Sequence, residues 1–182
     1  MDEIFYAALA TPIGEMHLAS TRAGLCKVAL PSENRAEFLA WLRRALPSAT
    51  LIDSANANAA AIEELEAYLD GRLTEFHAPL DMRGTEFQRA VWGAVATIPY
   101  AETRSYGEIA REVGRPLACR AVGAANGANP LPPFVPCHRV IGSSGALTGY
   151  GGGLPLKARL LDMEQTMRQA FLPHLALADR AS

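Results

Sequence analysis

Cysteine is scarce in this chain: three in 182 residues, at positions 26, 119 and 137. An odd and scattered set excludes a disulfide framework and a zinc knuckle, and it fits a reducing compartment such as the cytoplasm. No apolar run approaches the ~20 residues of a membrane span. The first residues, Met1-Asp2-Glu3, are acidic where a signal peptide would be basic, so secretion is not expected. There is no internal repeat or low-complexity segment. The composition, 49% hydrophobic and 20% charged, excludes collagen-like, coiled-coil and disordered classes. Positive charge is also short: 17 Lys and Arg against 19 Asp and Glu leave a net charge of -2, which argues at first sight against nucleic acid. The deficit is uneven, however. Residues 1–82 hold 6 basic and 12 acidic side chains, and residues 83–182 hold 11 and 7, so an acidic half precedes a basic one.

What is present reads as two domains. In the first half, strand-like runs at Ile4–Leu9, Glu15–Ala19 and Leu25–Leu30 are punctuated by Pro12, Gly14 and Gly24, as in an antiparallel meander. Helical spacing follows over 34–46 (Phe38, Leu39, Leu42, Leu46) and 59–69 (Ile62, Leu65, Leu69), with Gly71 as a stop. Short strands are expected at Thr50–Ile52 and around Thr74–His77. This gives an N-terminal α/β domain over 1–82. A second, mainly helical domain is expected over 83–170, with a tail over 171–182. Thr85-Glu86-Phe87-Gln88 and Ser105-Tyr106-Gly107-Glu108 have capping-box form. The second opens a short helix ending at Gly114, and a third helix runs from Pro116 to about Ala128. Two short helices so joined are a helix-turn-helix signature. A last helix carries Leu156, Leu160, Met163 and Met167.

The most unusual segment is Pro136-Cys137-His138-Arg139-Val140. A thiol attacks as its thiolate, which a nearby imidazole makes accessible near neutral pH. Neighbours in an extended strand point to opposite faces, so cooperation between Cys137 and His138 needs a turned backbone or a bridging water. On the pair alone, a nucleophile with its base and a structural cysteine beside an incidental histidine both stand. Glu164 lies in line with the apolar stripe of the last helix, where a carboxylate needs a partner. His138 is a candidate for it, and the alternative is that Glu164 reaches solvent. The third helix is rich in small residues (Ala121, Gly123, Ala124, Ala125, Gly127) around Arg120, which suits either tight helix packing or close approach to a DNA groove. Tyr106 shares a face with Ile109, Ala110 and Val113, which reads as core.

Taken together, these residues resemble the O6-alkylguanine-DNA alkyltransferases, the methylated-DNA–protein-cysteine methyltransferases. The blocks are Phe87-Gln88-Arg89-Ala90-Val91-Trp92, Ile98-Pro99-Tyr100, Ser105-Tyr106-Gly107, Arg120 to Asn126, Asn129-Pro130, Pro136 to Ile141, Gly149 to Gly153, Lys157, Leu160-Leu161 and Glu164. The resemblance implies a ribonuclease-H-like N-terminal fold and a winged-helix-like C-terminal domain carrying the site. Cys137 is then the alkyl acceptor, with His138 as base through a water, Glu164 orienting it, and Asn129 tying the active-site turn to the preceding helix. Tyr106 pushes the target nucleotide out of the stack and Arg120 fills the gap, with Ala121 and Gly123 against the DNA. Tyr106, Pro132, Val140, Tyr150 and Gly151 line the alkylguanine pocket.

The implied activity is repair by direct reversal of O6-alkylguanine, and of O4-alkylthymine, in double-stranded DNA. It is single-turnover because the thioether formed is a poor leaving group, and it needs no cofactor. A monomer is expected, with few phosphate contacts and a shallow salt dependence. Structural zinc is not expected, since Cys26 and His17 lack companion ligands. Two departures stand out: Ala101 where the family commonly has Gly, which predicts a strained turn, and Cys119 where it has a small residue such as Ala. A cysteine hydrolase using Cys137, His138 and Glu164 would instead predict multiple turnover and an oxyanion hole. A non-catalytic binder of alkylated DNA would lack the cysteine.

Overall fold

The computed structural model describes residues 2–178, with side-chain surroundings through 170. The N-terminal half is a four-stranded sheet of order β3-β2-β1-β4, built from β1 (Glu3–Thr11), β2 (Gly14–Thr21), β3 (Gly24–Ala29) and β4 (Thr50–Asp53). The first three strands form the expected meander, and β4 runs parallel to β1, Ile4 opposite Leu51. Alternation assigns the two faces. Ala19, Cys26 and Ala29 pack with Ile4 against Phe38 and Leu42 of helix α1 (Arg35–Ala45). Met16, Leu18, Leu25 and Val28 face the other way, onto Leu65 of α2 (Ala59–Leu69) and onto the C-terminal half. Gly71, at φ +71°, ends α2 as expected.

The strand expected around Thr74–His77 does not form. The backbone N–H groups of His77 and Ala78 are taken by the Glu64 carboxylate of α2 at 3.0–3.1 Å, and Phe76 turns its ring onto Phe134 at 4.2 Å. Pairing with the sheet begins only at 79–81, where Leu25 N–H donates to Pro79 O and Asp81 N–H to Leu25 O, both at 2.8 Å. This covers the β3 edge, and it also requires Gly24: a Cβ there would stand 2.2 Å from the Pro79 carbonyl oxygen.

The C-terminal half comprises α3 (Glu86–Ala96), β5 (Arg104–Ser105), α4 (Tyr106–Glu112), α5 (Cys119–Gly127), β6 (Val140–Ile141) and α6 (Leu154–Ala178). Both capping boxes form, at Thr85 with Gln88 and at Ser105 with Glu108. Helix α5 starts three residues after the expected Pro116, because Pro116 and Leu117 form a turn closed by Ala118 N–H to Arg115 O at 2.8 Å. Trp92 of α3 donates to Ala125 O at 2.8 Å and locks α5 in place. One apolar cluster runs from Met16 and Leu25 through Trp92 and Ile109 to Val122 and Val140, so the two halves share a core. Of the tail expected over 171–182, residues 171–178 continue α6 and 179–182 lie outside the described residues. No described helix is long and apolar enough to cross a membrane.

Ala101, between α3 and β5, has φ +59°, the left-handed region that a Cβ disfavours. Its peptide is held at both ends by α6: N–H to Glu164 Oε2 at 3.0 Å, and O from Gln165 Nε2 at 2.6 Å. Relief of left-handed strain on Ala101→Gly, about 1–2 kcal/mol, is offset by the lost buried methyl at about 0.8 kcal/mol and by glycine's backbone entropy at about 0.5–1 kcal/mol. Ala101→Gly should therefore unfold in urea within about 1 kcal/mol of the parent, whereas Ala101→Val should lose about 2 kcal/mol or more. A valine variant as stable as the glycine one would contradict the left-handed assignment.

Candidate active site

The segment leading to Cys137 is rigid for reasons visible in its hydrogen bonds. Asn129 Oδ1 accepts from Leu131 N–H at 3.0 Å, and its Nδ2 donates to Val135 O at 2.8 Å, so one side chain staples the loop that carries Pro130 to Pro133. Val28 N–H of β3 donates to Pro130 O at 2.7 Å, which ties this loop to the N-terminal sheet. Residues Cys137–Arg139 then form one 3-10 turn, with Arg139 N–H on Pro136 O at 2.9 Å. The turned backbone that cooperation of adjacent Cys and His requires is thus present. Asn126 of α5 donates to Cys137 O at 3.2 Å, linking the turn to the helix-turn-helix.

Behind the turn lies a buried charge cluster. His138 and Glu164 are both 0% exposed, with His138 Nε2 2.8 Å from Glu164 Oε1. Arg139 grips the same carboxylate, Nη2 to Oε1 at 2.8 Å and Nε to Oε2 at 3.0 Å, and its Nη1 donates to Ile98 O at 2.7 Å. Tyr68 Oη donates to Oε1 at 2.7 Å. Burial works to raise the Glu164 carboxyl, but the hydrogen bonds and charges of His138 and Arg139 prevail and hold it at about 2. Glu164 is therefore an acceptor, and His138 carries its proton on Nε2. Burial lowers the His138 pKa against the pull of Glu164, so the ring is neutral at pH 7, and Nδ1 has no protein partner among the described residues. Burial pushes the Cys137 thiol up to about 11, opposed by the Asn129 hydrogen bond and the Lys157 charge. Cys137 therefore rests as a thiol, next in the chain to an imidazole whose Nδ1 lone pair has no protein partner among the described residues.

Cys137 lines a cavity of about 500 Å3. Pro132, Tyr150 and Gly151, all expected in the pocket, line it too, as does Asn129. The far wall comes from the N-terminal half, with Lys27, Leu30, Ser32, Glu33 and Trp41. Ser32 Oγ donates to Gly151 O at 3.1 Å across the gap. Two expected pocket residues lie off this wall. Val140 is fully buried in the core, and Tyr106 stands at the edge, its hydroxyl on Thr148 O at 3.1 Å. A Cβ on Gly123 would meet the Tyr106 ring at 3.8 Å, an ordinary van der Waals contact, so α4 and α5 lie close here without the packing itself requiring glycine. Arg120 and Ala121 are exposed on α5, and Arg120 makes no ion pair among the described residues.

Sequence reading gave no role to Tyr68, Asn126, Arg139 or Lys157. Lys157 is fully buried, its ammonium donating to Val140 O at 2.6 Å and Thr148 O at 2.7 Å, which anchors the loop carrying Tyr150. Arg139 and Lys157 stood within recognised blocks. Tyr68 reads in sequence only as one more apolar position of α2. Among the described residues no three His, Cys, Asp or Glu side chains gather as a metal site.

Two family models match the chain: the ribonuclease-like domain of 6-O-methylguanine DNA methyltransferase over residues 4–82, and its DNA-binding domain over 86–166. A methylated-DNA–protein-cysteine methyltransferase of Mycobacterium tuberculosis is 46% identical over 170 residues, 93% of this chain and 97% of its own. The inducible enzyme of that name from Bacillus subtilis is 41% identical over 172 residues, 94% and 96% of the two chains. The crystal structure of Mycobacterium tuberculosis OGT in complex with DNA superposes with a TM-score of 0.77 at 44% identity, covering 90% of this chain and 94% of that one.

The three thiols should separate under native labelling with iodoacetamide. Cys119 is exposed, whereas burial raises Cys26 to about 12 and Cys137 to about 11. At pH 7.5 the thiolate fraction of Cys137 is on the order of 10⁻³ to 10⁻⁴, so peptide mass spectrometry should find Cys119 modified first. The Cys137 rate should climb about tenfold per pH unit while the fold persists. Equal labelling of Cys119 and Cys137 at pH 7.5 would contradict the buried-thiol assignment.

Proposed function

Because the chain belongs to the 6-O-methylguanine DNA methyltransferase family, we propose that it repairs double-stranded DNA by moving the alkyl group of O6-alkylguanine, and of O4-alkylthymine, onto its own Cys137. The observation that carries this reading is a buried thiol lining an open cavity, with a hydrogen-bonded His138–Glu164 pair behind it. The thiol proton passes through a water to His138 Nδ1, and Glu164 stabilises the imidazolium that forms. Sulfur attacks the alkyl carbon in line, and the S–C bond forms as the C–O6 bond breaks. The electron pair released re-forms the exocyclic carbonyl of the base, and the adjacent ring nitrogen takes up one proton to give the neutral keto form, matching the proton that left Cys137. The net change is one alkyl group gained by Cys137 and one proton lost from it. A thioether is a poor leaving group and no neighbouring residue supplies a displacement, so each molecule acts once.

An O6-alkyl group inside a duplex is out of reach of a buried thiol, so the nucleotide must be extruded, at about a few kcal/mol. The small-residue face of α5 permits close approach to a groove. Arg120 extends from it to occupy the vacated stack, and Tyr106 stands at the cavity edge to displace the base. Pro132, Tyr150 and Gly151 receive it, with Val140 supporting the turn from the core. All these groups belong to one chain, so a monomer suffices, working in a reducing compartment such as the cytoplasm.

Incubation with a duplex containing O6-methylguanine should add one methylene mass to the peptide bearing Cys137 and to no other, at one equivalent per chain. Cys137→Ser should show none, and an unmodified parent peptide would sink the reading. Arg120→Ala should slow repair of the duplex about tenfold or more, in line with a few kcal/mol of unstacking, yet leave reaction with free O6-benzylguanine near the parent rate. Equal losses on both substrates would remove Arg120 from the extrusion step.

A further inference from the structure

The N-terminal half contributes a side chain to the buried cluster as well as a wall to the cavity. Tyr68, on α2, is fully buried, and its hydroxyl reaches Glu164 Oε1 at 2.7 Å and lies 3.3 Å from His138 Nε2. The ring is wedged between Phe76, at 5.1 Å between centroids, and Tyr100, at 6.3 Å edge-on. A tyrosine needed only for packing could be a phenylalanine here; the hydroxyl is what meets the carboxylate. Building on the alkyl-transfer reading above, we propose that Tyr68 is a positioning residue for the reaction: its hydroxyl fixes the Glu164 oxygen that orients His138 and governs how readily that histidine takes up a proton.

The physical case rests on a shared acceptor. Glu164 Oε1 receives Tyr68 Oη, His138 Nε2 and Arg139 Nη2 within 2.7–2.8 Å, while Oε2 receives Arg139 Nε and the Ala101 N–H at 3.0 Å. Each donor draws negative charge from the carboxylate and reduces what is left for the others. With the tyrosine hydroxyl in place, Glu164 holds the Nε2 proton by a hydrogen bond without over-stabilising the imidazolium. Without it, Oε1 turns its full charge on His138, and the ring keeps its proton to higher pH. Neutral His138, the form that accepts the thiol proton, then becomes scarcer at neutral pH. The other ionisable groups around the pair are Cys137 and Arg139 from the turn, Lys157 from α6, Tyr100 from the α3–β5 connection and Tyr150 from the pocket loop. All of them stay in place when one hydroxyl on α2 is removed.

The test is Tyr68→Phe in the full chain, which keeps the ring between Phe76 and Tyr100. Two readouts are taken: the pH profile of Cys137 alkylation by free O6-benzylguanine, and the titration of His138 followed by its ring nitrogens in NMR. The expected result is a loss approaching about tenfold on the acid side of the profile, the scale of one hydrogen bond to a charged group. It should be recovered at higher pH, with the acid limb and the His138 midpoint both moved upward and duplex affinity unchanged. Placing 3-fluorotyrosine at position 68, a stronger donor of the same shape, should move both the other way and covers the case in which the phenylalanine variant folds poorly. A uniform loss across pH, superimposable profiles, or a His138 midpoint that stays put or is absent in both proteins would overturn the proposal. If the parent itself transfers no alkyl group, the function reading fails, and the NMR titration still decides the Tyr68 assignment.

Discussion

One buried carboxylate organises this molecule. Glu164 has no exposure to solvent, yet the hydrogen bonds and charges of His138 and Arg139 hold it ionised at about 2, and donors reach it from three chain segments: the 3-10 turn through His138 and Arg139, the Ala101 peptide, and α2. An unpaired carboxylate at such a depth would cost several kcal/mol, so the arrangement holds together only if every donor is in place. That condition fixes three chain segments at once. It places α6 against the turn that carries the thiol, it holds the connection between α3 and β5 in a left-handed conformation at a non-glycine residue, and it draws α2 into contact with the C-terminal half.

The same dependence explains why the acidic first half is more than an appendage. Its sheet edge accepts the loop before Cys137 through Val28 and Pro130, its loop at Ser32 meets the pocket loop at Gly151, and Lys27 and Trp41 close the cavity. The apolar cluster is continuous across the two halves, so they cannot reorient without exposing buried surface from Leu25 to Trp92. A division of labour by charge, -6 in residues 1–82 and +4 in 83–182, therefore coexists with a single mechanical body. The basic half faces outward through α5, and the acidic half backs the site and contributes walls and one hydroxyl.

How much of this was legible in the sequence follows from how local each signal is. Capping boxes at Thr85 and Ser105, the glycine stop at Gly71 and the meander all depend on neighbours a few residues away, and they formed as expected. The strained turn at Ala101 was legible as a departure from a family pattern, and the positive φ is the form that strain takes. The failures involve distant partners. The 74–77 segment has strand composition, but the Glu64 carboxylate takes its N–H groups, which periodicity cannot show. The start of α5 was misplaced because Pro116 is compatible with a first helical turn as well as with the tight turn it makes. In the site, Cys137, His138 and Glu164 were singled out and are found together. Tyr68 was not, since a tyrosine on an apolar helix face looks the same whether its hydroxyl meets a carboxylate 96 residues away or solvent.

On the proposed reaction, the protonation state of Cys137 bears directly on its fate. Many reactive cysteines are poised as thiolates by nearby positive charge. Here burial dominates and keeps Cys137 protonated, with a pKa of about 11, although His138 follows it directly and Lys157 is near. A resting thiolate would react with any small electrophile entering the cavity, and under the single-turnover reaction proposed above each such event would remove a molecule from service. On that reaction, a buried thiol beside a neutral histidine reacts appreciably only when a bound base fills the cavity and presents its alkyl carbon in line, so deprotonation is coupled to occupancy. The cost is a slower intrinsic attack, and positioning offsets it: effective molarities of about 10⁵ M or more are available to a carbon held in contact with sulfur. On the proposed reaction, low resting reactivity and rapid repair are then compatible, because the first is set by burial and the second by geometry.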